Sequence, residues 1–140
     1  MLNLKSLLME MERLPLSIFQ FVFRLTVGGV FWHSGLTKID SWQTTIVLFR
    51  DEYRVPFLPP ELAAMFATAV ELSCPVLLLL GIATRLATLP LLAMTVVIQI
   101  FVYPESWNAH LMWVAMLGYI LTRGPGTISL DHLIVRKIEH

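Results

Sequence analysis

The sequence has little charge and little cysteine, and both shortages exclude functions. Only 14% of the 140 residues are charged, and ten acidic residues balance ten basic ones. A formal net charge of zero gives no electrostatic basis for binding nucleic acid. Cys74 is the sole cysteine, so the chain can form neither an internal disulfide nor a CxxC dithiol relay. Nucleic-acid binding and dithiol chemistry within this chain are therefore excluded.

Apolar residues take the place of the missing charge. They make up 56% of the chain, and the mean hydropathy is +0.72. A membrane-spanning helix needs about 20 mainly apolar residues, and four stretches approach this length: residues 16–36, 61–80, 86–103 and 109–122. Short links at 81–84 and 104–106 indicate antiparallel neighbours. We therefore expect residues 1–140 to form one all-α domain, an integral membrane four-helix up-down bundle.

Amphipathic segments accompany the four spans. The first 14 residues lack the features of a cleavable signal peptide and predict a helix on the membrane surface, or an extension of the first span. Trp42, Ile46, Phe49 and Tyr53 recur at the spacing of one helical face, which predicts a short interfacial helix in the first loop. The apolar positions of the C-terminal tail predict another.

Lysine and arginine indicate the orientation of the spans. One side of the predicted bundle carries six basic residues, against three on the other. The larger set comprises Lys5, Arg13, Arg85, Arg123, Arg136 and Lys137, and the smaller set Lys38, Arg50 and Arg54. The excess favours cytoplasmic termini under the positive-inside rule, in a bacterial-type inner (plasma) membrane.

Two charged residues fall inside the predicted spans. Arg24 lies eight residues into the first span, and Glu71 ten residues into the second, which runs the other way. We therefore expect a buried Arg24–Glu71 ion pair near mid-depth, either as a structural lock or as part of proton or substrate handling. Gly28 and Gly35 share a helical stripe with Arg24 and would let the neighbouring helix approach closely.

A second polar group lies towards the outer ends of the spans. His33, Gln99, Tyr103, Glu105 and His110 could line one outward-facing pocket. Two histidines and a carboxylate could hold a metal, with His33 and His110 as ligands, or the group could hydrogen-bond a quinone head. The alternative is that each histidine forms its own hydrogen bonds with backbone or water and that the two share no site.

These residues together resemble the DoxX family of small membrane proteins. The match runs from about residue 16 to residue 131, in three motifs. The first is Arg24 with Gly28, Gly35 and Lys38. The second is Glu71 followed by a turn with Gly81 and Arg85. The third comprises Gly124, Pro125, Gly126, Ser129 and Asp131.

The resemblance implies a four-helix membrane bundle and a choice of roles. The family takes its name from a subunit of a thiosulfate:quinone oxidoreductase, and other members are linked to redox-stress complexes or accompany metal-responsive operons. We therefore expect a small subunit of a membrane redox assembly that handles quinone or organises partner proteins, and at most an oxidoreductase subunit if it is an enzyme. The alternatives are a non-catalytic accessory in metal or oxidative-stress homeostasis, and a small-solute transporter using Arg24 and Glu71. The expected partners are lipid and other proteins or further copies of the chain. The expected cofactor, if any, is a quinone or a metal.

Overall fold

The computed structural model describes residues 3–139, and within them every regular element is helical. The helices are α1 (Leu4–Glu12), α2 (Leu16–Asp40), α3 (Trp42–Val47), α4 (Pro60–Leu80), α5 (Thr84–Val97), α6 (Trp107–Arg123) and α7 (Leu130–Ile138). Two of them continue as π-helical segments, α3 into Leu48–Tyr53 and α5 into Ile98–Val102, and a 3₁₀ turn at Pro104–Ser106 precedes α6. The predicted all-α class is confirmed for this part of the chain.

The link between α4 and α5 shows how the sequence sets the helix ends. Pro60 begins α4, where the missing N–H of proline costs no helical hydrogen bond. Gly81 ends the helix at φ +71°, and its N–H donates to the carbonyl of Leu77 at 2.8 Å. Ala83 is also left-handed, at φ +46°, and Thr84 then begins α5. Three residues therefore suffice to turn the chain back along α4.

Length and composition identify the helices that can cross a membrane. Pro60–Leu80 and Thr84–Val102 are long and apolar enough, with 21 and 19 residues. A third span results if α1 and α2 are counted together, although they meet at a bend of 60°. The 17 residues of α6 reach only about 26 Å, short of the roughly 30 Å of a hydrocarbon core. Two to three spans are thus supported by composition and length.

The four long helices pack in a cycle, with α2 and α5 each against both α4 and α6. Their shared core contains one large apolar cluster with fully buried members from every helix: Val27, Leu78, Leu91, Leu117 and Ile120. In lipid such packing is driven by close van der Waals contact rather than by water exclusion. The core therefore depends on how closely the helix backbones approach.

The first loop forms a second, smaller cluster. Ile46 and Phe49 are buried against Ala63 and Ala64 of α4, with Trp42 and Tyr53 half-buried at its edge. The predicted helix in this loop and its apolar face are confirmed. It covers one end of the four-helix cycle, at the end where α2 stops and α4 starts.

Candidate functional site

Lys38, not Arg24, neutralises Glu71. The ammonium nitrogen Nζ of Lys38 lies 2.8 Å from Oε2 of Glu71 and donates to Oε1 at 3.1 Å. Ser34 joins the pair, since its hydroxyl donates to Oε1 at 3.3 Å and accepts from Lys38 at 2.9 Å. Only 3% of Glu71 is exposed. The carboxylate is therefore held in the interior by a compact network.

The continuation of α2 explains this pairing. Lys38 was expected in the first loop, but α2 runs to Asp40, so Ser34 and Lys38 are one turn apart on one face. Gly35 lies on the same side, where a Cβ would stand 2.8 Å from Cδ2 of Leu72 and 3.1 Å from Cβ of Glu71. The missing side chain lets α4 approach α2 closely enough for Lys38 to reach the carboxylate.

The predicted Arg24–Glu71 ion pair does not form in this structure. Arg24 is 1% exposed, and its guanidinium donates to the carbonyl of Leu78 at 3.0 Å and to the carbonyl of Ile128. Leu78 follows Glu71 by seven residues, about 10 Å along the helix. The last carbonyls of a helix lack intrahelical donors and carry partial negative charge, which attracts a cation. Arg24 is therefore held at the end of α4 by its two terminal nitrogens, while its buried Nε has no hydrogen-bond partner among the described residues.

The other family motifs meet Arg24 at that end. The N–H of Asp131 donates to the carbonyl of Gly81 at 2.8 Å. In return, the Asp131 carboxylate accepts from the N–H of Ala83 and from both the N–H and the hydroxyl of Thr84, at 2.8–2.9 Å. A Cβ at Gly81 would collide with Ser129 and Arg24. We call this arrangement the junction: it ties the segment after α6 to the turn between α4 and α5.

The electrostatics of Asp131 follow from these contacts. Partial burial would raise the pKa of the carboxyl, but the hydrogen bonds from Thr84 and Ala83 outweigh it, and the pKa lies below its ordinary value. Arg24 contributes to the lowering through its positive charge.

Gly124, Pro125 and Gly126 form the loop that leads here from α6, and a Cβ at Gly126 would collide with Gln20. The junction therefore has a structural role, and most of its residues belong to the family motifs.

The Lys38–Glu71 pair borders a cavity of about 320 Å³ at the opposite end of the helices. Its polar part consists of Ser34, Lys38 and Glu71. The remaining wall is mostly aromatic and aliphatic: Phe49, Tyr53, Val55, Leu58, Ala63, Ala67, Met94, Val97, Ile98, Val102, Tyr103, His110 and Trp113. We call this cavity the ion-pair pocket. An apolar cavity with a few convergent polar groups is the usual form of a small-molecule site.

Two residues of the predicted outer pocket line the ion-pair pocket. His110 is 4% exposed; its Nδ1 lies 2.7 Å from Oε1 of Gln99, and its ring is 5.0 Å from that of Trp113. Tyr103 donates to Oε1 of Glu52 at 2.7 Å and packs edge-on against Tyr53. Gln99 also donates to the carbonyl of Pro104 at 3.0 Å, which fixes the amide that holds His110.

Of the remaining three residues of that prediction, Gln99 contacts His110 without lining the ion-pair pocket, and His33 and Glu105 lie elsewhere. His33 is exposed and borders a separate groove between α2 and α3, beside Thr37 and Thr44. Glu105 is exposed on the 3₁₀ turn. Nowhere in residues 3–139 do three or more His, Cys, Asp or Glu side chains form a group able to hold a metal ion. His33 and His110 thus line different cavities.

Sequence reasoning missed most of the residues that line the pocket, among them Lys38, Tyr53 and Trp113. Lys38 was grouped with the loop cations, although its spacing of four from Ser34 could have placed it on the helix. The sequence places Tyr53 on an interfacial helical face and gives no prediction of a pocket for Trp113. Their place in one cavity depends on the packing of α3 and α6 against the core, which has no local sequence signal.

The fold and this cavity define a small helical membrane protein with a buried ion pair beside an apolar pocket. The sequence profile of the DoxX family matches residues 19–104, and the chain belongs to that family. It is also similar to an uncharacterized protein from Haemophilus influenzae (strain ATCC 51907 / DSM 11121 / KW20 / Rd), with 27% identity over 135 residues that cover 89% of each chain. No solved structure matches the chain significantly.

Proposed function

We propose that the protein is a four-span inner-membrane protein with cytoplasmic termini, and that it serves as a small quinone-handling subunit of a membrane redox assembly. The ion-pair pocket is its binding site. Family membership supports a small membrane protein, and the pocket is the feature that favours a quinone over other partners. In this orientation the pocket lies towards the outer leaflet and the junction towards the cytoplasm.

The observation that carries the proposal is the pairing of one charged cluster with an aromatic wall in a cavity of about 320 Å³. A quinone head is a flat ring with two carbonyl acceptors, and its tail is apolar. Lys38 directs its ammonium group at Ser34 and at both carboxylate oxygens of Glu71, and a quinone carbonyl would share or replace one of these three contacts. Tyr53 and Trp113 present aromatic surface for the ring. Met94 and Val97 offer an apolar side to the tail.

The transport alternative loses its basis, because it relied on the Arg24–Glu71 pair. Arg24 instead holds the carbonyls of Leu78 and Ile128. The metal alternative relied on His33 and His110, which line different cavities. Neither is proposed further.

Direct binding of a short-chain quinone tests the proposal. Ala67 lines the pocket and is half-buried, so Ala67→Phe would fill part of the cavity. Ala69, two residues on in α4, is exposed, and Ala69→Phe is the matched control. We expect the purified protein to bind ubiquinone-1 in calorimetry, Ala67→Phe to weaken binding at least about tenfold, which is about 1.4 kcal/mol, and Ala69→Phe to leave it unchanged.

Two outcomes would overturn the quinone assignment. One is an absence of measurable binding by the unmodified protein in detergent and in lipid nanodiscs. The other is equal binding by the two phenylalanine variants, which would show that ubiquinone-1 partitions into the surrounding lipid rather than entering the pocket. Copurification of other proteins from mildly solubilised membranes tests the subunit role separately.

A further inference from the structure

A groove at the junction end combines two arginines with exposed apolar surface. Arg85 lies at the start of α5 and Arg123 at the end of α6, and both are exposed. They line one groove of about 570 Å³ together with Ser17, Gln20, Thr127 and His132. Within residues 3–139 neither guanidinium forms an ion pair with a carboxylate or a side-chain hydrogen bond. We call this the arginine groove.

The acidic residue in the groove does not neutralise these arginines. Asp131 lines it, but both carboxylate oxygens accept hydrogen bonds from Ala83 and Thr84. Its negative charge also faces Arg24, which contributes to its lowered pKa. The groove therefore presents two arginine charges that lack protein partners in the described residues. Hydroxyl and amide groups of Ser17, Gln20 and Thr127 lie on the same surface and could add hydrogen bonds.

Apolar side chains at the edge of the groove indicate the form of the anion. Leu86, next to Arg85, is 70% exposed and lines the groove, as does Val135 of α7. Leu89, one turn further along α5, is 49% exposed. A free phosphate would gain nothing from these side chains, whereas a phospholipid could place its headgroup on the arginines and its acyl chains along α5. Arginine forms bidentate hydrogen bonds with phosphate.

We infer that the arginine groove binds the phosphate of an anionic phospholipid headgroup, with Arg85 and Arg123 as its ligands. Anionic lipids concentrate in the cytoplasmic leaflet, the side to which the proposed orientation assigns this end. Arg136 and Lys137 in the last turn of α7 add positive charge nearby. The inference concerns a site at the opposite end from the ion-pair pocket, so a failure of quinone binding leaves it standing.

Native mass spectrometry of the full chain measures this site directly. The protein is delipidated and titrated with phosphatidylglycerol or with phosphatidylcholine of the same acyl chains. We expect preferential retention of phosphatidylglycerol. Each basic residue near an anionic surface contributes about fivefold in binding, so Arg123→Gln should weaken phosphatidylglycerol binding about fivefold and Arg85→Gln/Arg123→Gln about 25-fold. Arg50→Gln/Arg54→Gln, at the other end of the helices, is the matched control and should have no effect.

Three results would overturn the inference. Equal retention of phosphatidylglycerol and phosphatidylcholine by the unmodified protein would contradict the inference without any variant. Unchanged phosphatidylglycerol binding in Arg123→Gln, or an equal loss in the Arg50→Gln/Arg54→Gln control, would show general attraction rather than this groove. Displacement of phosphatidylglycerol by millimolar inorganic phosphate would assign the groove to a soluble phosphate.

Discussion

The ammonium nitrogen of Lys38 lies 2.8 Å from the nearer carboxylate oxygen of Glu71, which is 97% buried. This pair joins the end of α2 to the middle of α4 and forms the polar part of an otherwise apolar cavity. A buried pair contributes little net stability by itself, because both charges lose their hydration. A charged pair that borders an apolar cavity is the arrangement expected of a ligand-binding site.

Removal of one partner should cost much more than removal of both. Lys38→Met leaves Glu71 as an unpaired buried charge, and we expect a loss of about 3–5 kcal/mol. Lys38→Met/Glu71→Leu removes both charges and should be more stable than Lys38→Met alone. The fraction of each variant that stays folded after heating in detergent, its thermal retention, measures these differences. An additive double variant would mean that the two side chains are uncoupled.

The exposed Arg50–Glu61 pair provides the control for this cycle. Its atoms are 3.4 Å apart, and both side chains are more than half exposed. Exposed pairs contribute about 0–1 kcal/mol, so Arg50→Gln should change thermal retention little.

Close helix approach at Gly35 should be sensitive to a single methyl group. Gly35→Ala places a Cβ against Leu72 and Glu71, and such overpacking costs about 1–3 kcal/mol. Gly29 is the matched control, since a Cβ there has nothing within 4 Å, and alanine favours the helix by about 1 kcal/mol. Comparable melting temperatures for the two variants would contradict the close approach.

The Asp131 carboxylate should stabilise the junction in a pH-dependent way. Because its pKa is lowered by folding, the stabilisation is complete above the ordinary value near 4 and is lost as the pH falls through the lowered pKa. Asp131→Asn should therefore cost about 1–3 kcal/mol at pH 7, and the difference in Tm from the unmodified protein should shrink below about pH 4. Asp51→Asn, at an exposed position of the π-helical segment Leu48–Tyr53, is the control. A Tm difference that stays constant down to pH 3 would refute the linkage.

The proposed orientation makes a labelling prediction. In a Cys74→Ala background, Arg50→Cys should react with a membrane-impermeant thiol reagent on intact cells, and Lys137→Cys should react only after the cells are opened. Labelling of Lys137→Cys but not of Arg50→Cys would reverse the orientation.

Much of the helical layout could be predicted from sequence. The four apolar stretches correspond to α2, α4, α5 with its π-helical segment, and α6, because unbroken apolar runs and the turn residues at 81–84 are local signals. Helix α2 differs at its end: it continues to Asp40 rather than stopping near Leu36. That extra turn places Lys38 on the helix, where its ammonium group can reach Glu71.

The site was predicted less well, because ion pairing in the interior depends on how far, and in which direction, each long side chain extends from its helix. Depth along the chain suggested that Arg24 and Glu71 were level, yet Arg24 extends to the carbonyl of Leu78 at the end of α4 and to that of Ile128. Ile128 lies 104 residues away in sequence, and only the path of the final loop brings its carbonyl there. His110 and Tyr103 were correctly placed at the same end of the helices, while the aromatic wall they share depends on how α3 and α6 pack.

Photolabelling tests the central claim, that the ion-pair pocket binds a quinone, most directly. A short-chain quinone with a photoreactive azide is irradiated with the purified protein, and mass spectrometry locates the adducts. The account predicts adducts on pocket residues such as Tyr53 and Tyr103, suppressed by excess ubiquinone-1 and reduced in Ala67→Phe but not in Ala69→Phe. Adducts confined to exposed apolar residues outside the pocket, such as Leu79 and Leu86, without competition by ubiquinone-1, would contradict it.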